Sequence, residues 1–109
     1  MHEQSRSDRD QYVTINFQNI KDNMESQFTK CEHCDLQGLP YDTGSVMHYH
    51  ENAFSNGNGP TIVSLDGSPL GQRDGFSASD LEGINKVYCG KLHITMDNNG
   101  HIFLYYIYY

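Results

Sequence analysis

Gly, Asn, Asp and Ser recur along this chain so densely that long loops with little regular secondary structure between them are the expected outcome. Ser55-Asn56-Gly57-Asn58-Gly59-Pro60 reads as an exposed turn, and Asp66-Gly67-Ser68-Pro69 as another. Only short segments remain between such breaks. Tyr12-Val13-Thr14-Ile15-Asn16-Phe17 mixes β-branched and aromatic residues in rough alternation, which predicts a short extended segment. Thr61-Ile62-Val63-Ser64-Leu65 is a second strand candidate. Residues 18–30 are polar with scattered apolar positions (Ile20, Met24, Phe28), which suits a short helix or an irregular loop. The stretch from Cys31 to Gly44 has the marks of a turn-rich connection. Ser45-Val46-Met47-His48-Tyr49 is a compact apolar and aromatic knot, expected to be buried.

The best helix runs from about Ser79 to Tyr88. Ser77 or Ser79 can cap it, each with an acid three residues on (Asp80, Glu82), and Leu81, Ile84, Val87 and Tyr88 fall on one face. Gly83 weakens it. After Cys89 the character changes. Lys91 to Thr95 and Ile102 to Tyr109 flank Asp97-Asn98-Asn99-Gly100, the pattern of a hairpin. The uncharged, β-prone ending Phe103 to Tyr109 is an aggregation hazard if exposed.

The 109 residues permit one domain, and a hydrophobic share of 37% is modest for a compact fold yet too high for wholesale disorder. A net charge of -7 disfavours nucleic acid and anionic membrane surfaces, both of which repel a negative chain. No stretch approaches the length of a transmembrane helix, and the polar N-terminus carries no signal-peptide pattern. Three cysteines, Cys31, Cys34 and Cys89, leave at least one without a partner inside the chain, so a thiol is free or its partner lies on sequence outside it.

Three features carry chemical information when read in order. The first is His2-Glu3-Gln4-Ser5-Arg6-Ser7-Asp8-Arg9-Asp10-Gln11-Tyr12-Val13. The second is Tyr41-Asp42 followed by Ser45-Val46-Met47-His48-Tyr49. The third is Leu70-Gly71-Gln72-Arg73-Asp74-Gly75-Phe76-Ser77, which leads into the last helix and Tyr88-Cys89. Together, over residues 2 to 89, they resemble the astacin family of metzincin zinc metalloproteases. That family's zinc motif is H-E-x-x-H-x-x-G-x-x-H, with a Met-turn further on. Its last His is followed by Glu and an Arg/Asp-rich stretch, as here.

The resemblance implies that His2 is the third zinc ligand, and that the two helical histidines, the general-base Glu and the Gly turn would all precede Met1. It matches Glu3 to the glutamate that pairs with the new N-terminal ammonium after propeptide removal; a solvated acid is the alternative. Met47 matches the Met-turn residue that forms an apolar floor beneath the histidines. Tyr49 matches the tyrosine near zinc, an additional ligand or a donor to the oxyanion; a buried structural Tyr is the alternative. His48 reads as structural. Arg73 matches an arginine beside the pocket for the residue after the scissile bond, where it favours acidic side chains. A surface arginine is the bland alternative. Cys89 matches the cysteine that closes the catalytic domain by a disulfide to its other half. Cys31 and Cys34 lie outside the family pattern; a local disulfide is the first choice, with a redox pair or structural zinc site as rivals.

The expected fold is therefore α+β: the loop-rich C-terminal subdomain of a zincin-like catalytic domain over residues 1–89, with few short strands and one C-terminal helix. Residues 90–109 form an unassigned tail. The expected function is that of a secreted, extracellular zinc endopeptidase acting on proteins or peptides with one Zn²⁺ per complete domain. With one of three ligands, the chain alone is expected to be inactive and poorly ordered. The rival readings are a non-catalytic secreted binding or matrix protein that has kept the subdomain's shape, and a small redox or zinc module on Cys31 and Cys34.

Overall fold

The computed structural model describes residues 1–87 and 92–106. Loops and single turns dominate, as the density of turn-forming residues requires. The longest regular element is α1 (Ala78–Val87); four short strands, β1 (Val13–Ile15), β2 (Ile62–Ser64), β3 (Leu92–Met96) and β4 (Ile102–Tyr106), form two separate antiparallel pairs. The α+β, loop-rich class expected from sequence is what the chain adopts.

The extended segment predicted over 12–17 narrows to β1, which pairs with β2 in the register Val13–Ser64, Thr14–Val63, Ile15–Ile62. It stops because the chain turns at Phe17–Asn19, where the side-chain amides of Asn16 and Asn19 both donate to the carbonyl of Pro60. Residues 18–30 contain no α-helix; they hold 3₁₀ turns at Phe17–Asn19 and Glu25–Phe28. Each turns one apolar residue inward, Ile20 and Phe28. These join Val13, Tyr41 and Ile62 in a small core, onto which Ile15, Tyr49, Phe54 and Leu70 pack.

The loop at 55–60 is exposed at its tip, and the Ser55 hydroxyl accepts from the Gly57 amide while donating to the Gly59 carbonyl. α1 begins with a reciprocal cap: Asp80 accepts from the Ser77 amide at 3.0 Å, and the Ser77 hydroxyl accepts from the Asp80 amide at 3.1 Å. Ser77, rather than Ser79, is thus the capping serine. Its face is only partly covered: Leu81 and Ile84 are half-buried, but Val87 is 59% exposed. Tyr88 and Cys89 lie outside the described residues. In the tail, β3 and β4 pair from Leu92–Tyr106 to Met96–Ile102, and the Asp97 carboxylate closes the turn by accepting from the amides of Asn99 and His101. Lys91 and residues 107–109 of the predicted hairpin fall outside the described residues.

Candidate active site

The segment that opens the chain is held by two buried arginines. Arg6 grips Asp8 with two parallel hydrogen bonds (2.9 and 2.8 Å), donates to the Leu39 carbonyl at 3.0 Å and to Glu3 at 3.3 Å, and lies 5.5 Å from the Tyr41 ring centre. Arg9 donates to the carbonyls of Gln4 and Phe28. Each arginine is 5% exposed, so both are stable there only because carboxylates and carbonyls replace the lost water. The Arg/Asp-rich run is therefore a folded clamp. It fixes the turn Glu3–Ser5 and, immediately before it, His2.

A second segment lies alongside. The Glu3 amide donates to the Met47 carbonyl at 3.1 Å, and the Tyr49 amide donates to Oε1 of Gln4 at 3.0 Å. These two links bring the His2 and Tyr49 rings to 5.0 Å between centres. Phe28 and Phe54 close on the Tyr49 ring at 5.8 and 5.7 Å. His48 is fully buried: its Nδ1–H donates to the Tyr49 carbonyl and its Nε2 accepts from the Tyr41 hydroxyl, each at 2.7 Å. Burial pushes the His48 imidazole below its ordinary value, and burial followed by the Glu3 carboxylate pushes the Tyr41 phenol up. Both therefore sit as neutral structural groups.

The expectation that all of 45–49 is buried needs correction. Ser45 and His48 are buried, but Met47 is 41% exposed. The chain turns between them, with the His48 amide bonded to the Ser45 carbonyl, so alternate side chains face opposite ways. Asp80 fixes this turn from α1 by accepting from the Ser45 hydroxyl and the Val46 amide. Met47 instead faces a groove of about 360 Å³ whose lining includes Leu36, Leu39, Phe76 and Ile84, together with Glu3 and Asp80. Oε1 of Glu3 accepts from the Asp42 amide at 3.0 Å; burial raises the Glu3 carboxyl above its ordinary value, and this bond and Arg6 oppose the rise.

The third segment crosses behind. The approach of residues 71 and 50 is so close that a Cβ on Gly71 would overlap the Cα and Cβ of His50, and Gly71 has φ +80° besides. Gln72 ties the loop together by donating to the carbonyls of Gly44 and Gly75. Arg73 is exposed, with Nη1 turned back onto the carbonyls of His48 (3.0 Å) and Gln72 (2.8 Å). Cys31 and Cys34 are disulfide-bonded with Cα atoms 5.5 Å apart, and the Cys31 amide bonds to the Ser5 carbonyl. The loop they close thus abuts the His2 segment.

The structure brings His2, Glu3, Met47 and Tyr49 together; Arg73 reaches the same strip through the His48 carbonyl. His48 is structural, as its sequence context suggested. The parts played by Gln4, Tyr41 and Asp80 in this assembly escaped sequence reasoning, although the capping spacing at Asp80 and the motif containing Tyr41 were visible there. Among the described residues no group of three or more His, Cys, Asp or Glu converges to hold a metal ion. The His2 imidazole with the Tyr49 phenol beside it is a donor pair that fits one corner of a zinc site.

Comparison with known proteins gives a consistent picture. The family model for Astacin, a peptidase family, matches residues 1–89. Zinc metalloproteinase nas-15 of Caenorhabditis elegans is 47% identical over 90 residues, a match spanning 80% of this chain and 16% of the relative. Protein SpAN of Strongylocentrotus purpuratus is 41% identical over 92 residues, spanning 80% of this chain and 15% of the relative. Among solved structures, high choriolytic enzyme 1, a hatching enzyme zinc-protease from Oryzias latipes, superposes with a TM-score of 0.78 at 40% identity. It covers 82% of this chain and 46% of that one. The chain thus spans about a sixth of the length of these curated relatives and just under half of the solved relative.

Proposed function

This chain belongs to the astacin family of peptidases, and from that premise we propose that it is the C-terminal half of a secreted zinc endopeptidase domain, formed by residues 1–89. Residues 90–109 follow the matched segment as an unassigned tail. The observation that carries the reading is the 5.0 Å approach of the His2 and Tyr49 rings on two segments linked by hydrogen bonds. A bound zinc would polarise the scissile carbonyl and activate water. His2 would hold that ion together with two imidazoles from the other half of the domain. Tyr49 would offer its hydroxyl to the oxygen on which charge develops. Met47, exposed here, would form the apolar floor beneath the joined histidines. Cys89 would close the domain by a disulfide to the other half.

Glu3 lines the groove with Asp42 and Asp80 and is paired with one cation, Arg6, at 3.3 Å; a terminal ammonium would be a second cation among these three carboxylates. This supports the pairing of Glu3 with a freed N-terminus. Arg73 is positioned for substrate selection, its remaining guanidinium N–H groups available to an acidic side chain. The substrate class is extracellular protein or peptide. The chain by itself, holding one of the three nitrogen ligands, is inactive.

The test joins this chain to the upstream half of its domain and assays a fluorogenic peptide. Cleavage that a chelator abolishes and added zinc restores is expected, with none from the 109-residue chain alone. An assembled domain that binds zinc yet cleaves nothing favours the non-catalytic binding or matrix protein.

A further inference from the structure

We infer that Gln4 is the positioning residue that holds Tyr49 against His2, an inference that rests on the peptidase reading above. Gln4 is 0% exposed, yet only one end of its side-chain amide is used. Oε1 accepts from the Tyr49 amide at 3.0 Å, while Nε2 has no partner among the described residues. The partner is a backbone N–H, which needs an acceptor, so the oxygen must face it and the NH₂ must be the idle end. Burying an unpaired NH₂ is unfavourable, because its bonds to water are lost and nothing replaces them. An apolar side chain of the same length would avoid that cost at once. What it would lose is the acceptor for Tyr49.

That acceptor matters because of its place in the chain. Gln4 lies two residues beyond His2 in the turn Glu3–Ser5, and Arg9 holds its backbone carbonyl at 3.2 Å, so the side chain that carries Oε1 is anchored on the same turn as the imidazole. The Tyr49 peptide belongs to no helix or strand. Its carbonyl is held by the His48 ring and its amide by Gln4. Gln4 thus adds a rung between the segments beside the Glu3–Met47 bond. Without it, the Tyr49 peptide keeps only its carbonyl bond to the His48 ring. A hydroxyl that serves the reaction by position alone then loses its effect on turnover rather than on substrate binding.

The test uses the zinc-loaded holoenzyme that contains this chain, with Gln4→Met, Gln4→Glu, Tyr49→Phe and the Gln4→Met/Tyr49→Phe pair. For Gln4→Met, kcat on a fluorogenic peptide is expected to fall about tenfold with KM changed by less than about twofold. Hydrogen exchange of the Tyr49 amide should quicken about tenfold while the Glu3 amide, on the other rung, keeps its protection. Gln4→Glu retains an acceptor and should restore both. Adding Tyr49→Phe to Gln4→Met should cost less than about twofold more, since the two act as one unit. Unchanged kcat in Gln4→Met, full multiplication of the two losses, or Glu3 protection lost along with that of Tyr49 would each overturn the positioning role. A wild-type holoenzyme that cleaves no peptide overturns the peptidase reading and this role with it, even where Tyr49 protection depends on Gln4. A cleaving enzyme indifferent to Gln4→Met overturns the positioning role alone.

Discussion

The Tyr41 hydroxyl donates to Nε2 of His48 across 2.7 Å, and Nδ1–H of the same ring donates to the Tyr49 carbonyl at the same distance. One tautomer of a fully buried imidazole therefore satisfies both nitrogens. Tyr41→Phe leaves Nε2 buried without a donor. The expected cost is about 1–3 kcal/mol, read as a lower midpoint of chemical unfolding of the domain containing this chain. A midpoint equal to wild type would contradict the pairing.

Asp80 should outweigh an ordinary helix cap. Its carboxylate receives the Ser77 amide, the Val46 amide and the Ser45 hydroxyl, so it joins α1 to the Met47 turn as well as starting the helix. Asp80→Ala is expected to cost about 2–3 kcal/mol in the same domain, against about 1 kcal/mol for Ser77→Ala. Paired thermal melts check this ordering; equal losses would reduce Asp80 to a simple cap.

Gly71→Ala is expected to be among the most damaging single changes, at about 2–4 kcal/mol. Both the overlap with His50 and the positive φ act against any side chain there. Expression yield and melting temperature report the loss, and a variant as stable as wild type would show that residues 50 and 71 do not approach as described.

The turn after β2 carries the clearest pH signature. Bonds from Ser68 and Ser64 hold the Asp66 carboxyl at about 2, below its ordinary 3.8. Its folded value is the depressed one, so the contribution to stability is complete above 3.8 and is lost as pH falls through about 2. A proton titration followed by NMR should find Asp66 near 2 and, in Ser64→Ala/Ser68→Ala, closer to 3.8. An Asp66 that titrates at its ordinary value in the wild type contradicts the turn geometry.

Much of this architecture was legible in local signals. Alternating Val13 and Ile15, the Ser77–Asp80 spacing and the Asp97–Gly100 turn each depend on neighbours a few residues away, and each formed as the pattern required. Contacts made across the chain were not legible. Nothing near Met47 in sequence signals that it faces a groove, because that depends on where Leu36 and Ile84 arrive. Nor does Gln4 announce itself, since its partner Tyr49 is 45 residues away. Residues 18–30 left a short helix and an irregular loop both open; without a periodic apolar face, turns that bury single residues, Ile20 and Phe28, formed in place of a helix. The roles of His2, Glu3, Tyr49 and Arg73 came from family resemblance, because one imidazole or one arginine specifies no chemistry alone.

The proposal that residue 2 completes a metal cage is tested most directly by zinc content. In the assembled domain, one zinc per molecule is expected for wild type, and His2→Ala should bind the ion at least about 100-fold more weakly and lose peptide cleavage with it. Circular dichroism should be unchanged, since the exposed His2 ring meets the core only at its edge, through Tyr49. A His2→Ala domain that still holds a full equivalent of zinc and cleaves peptide at the wild-type rate would contradict the account.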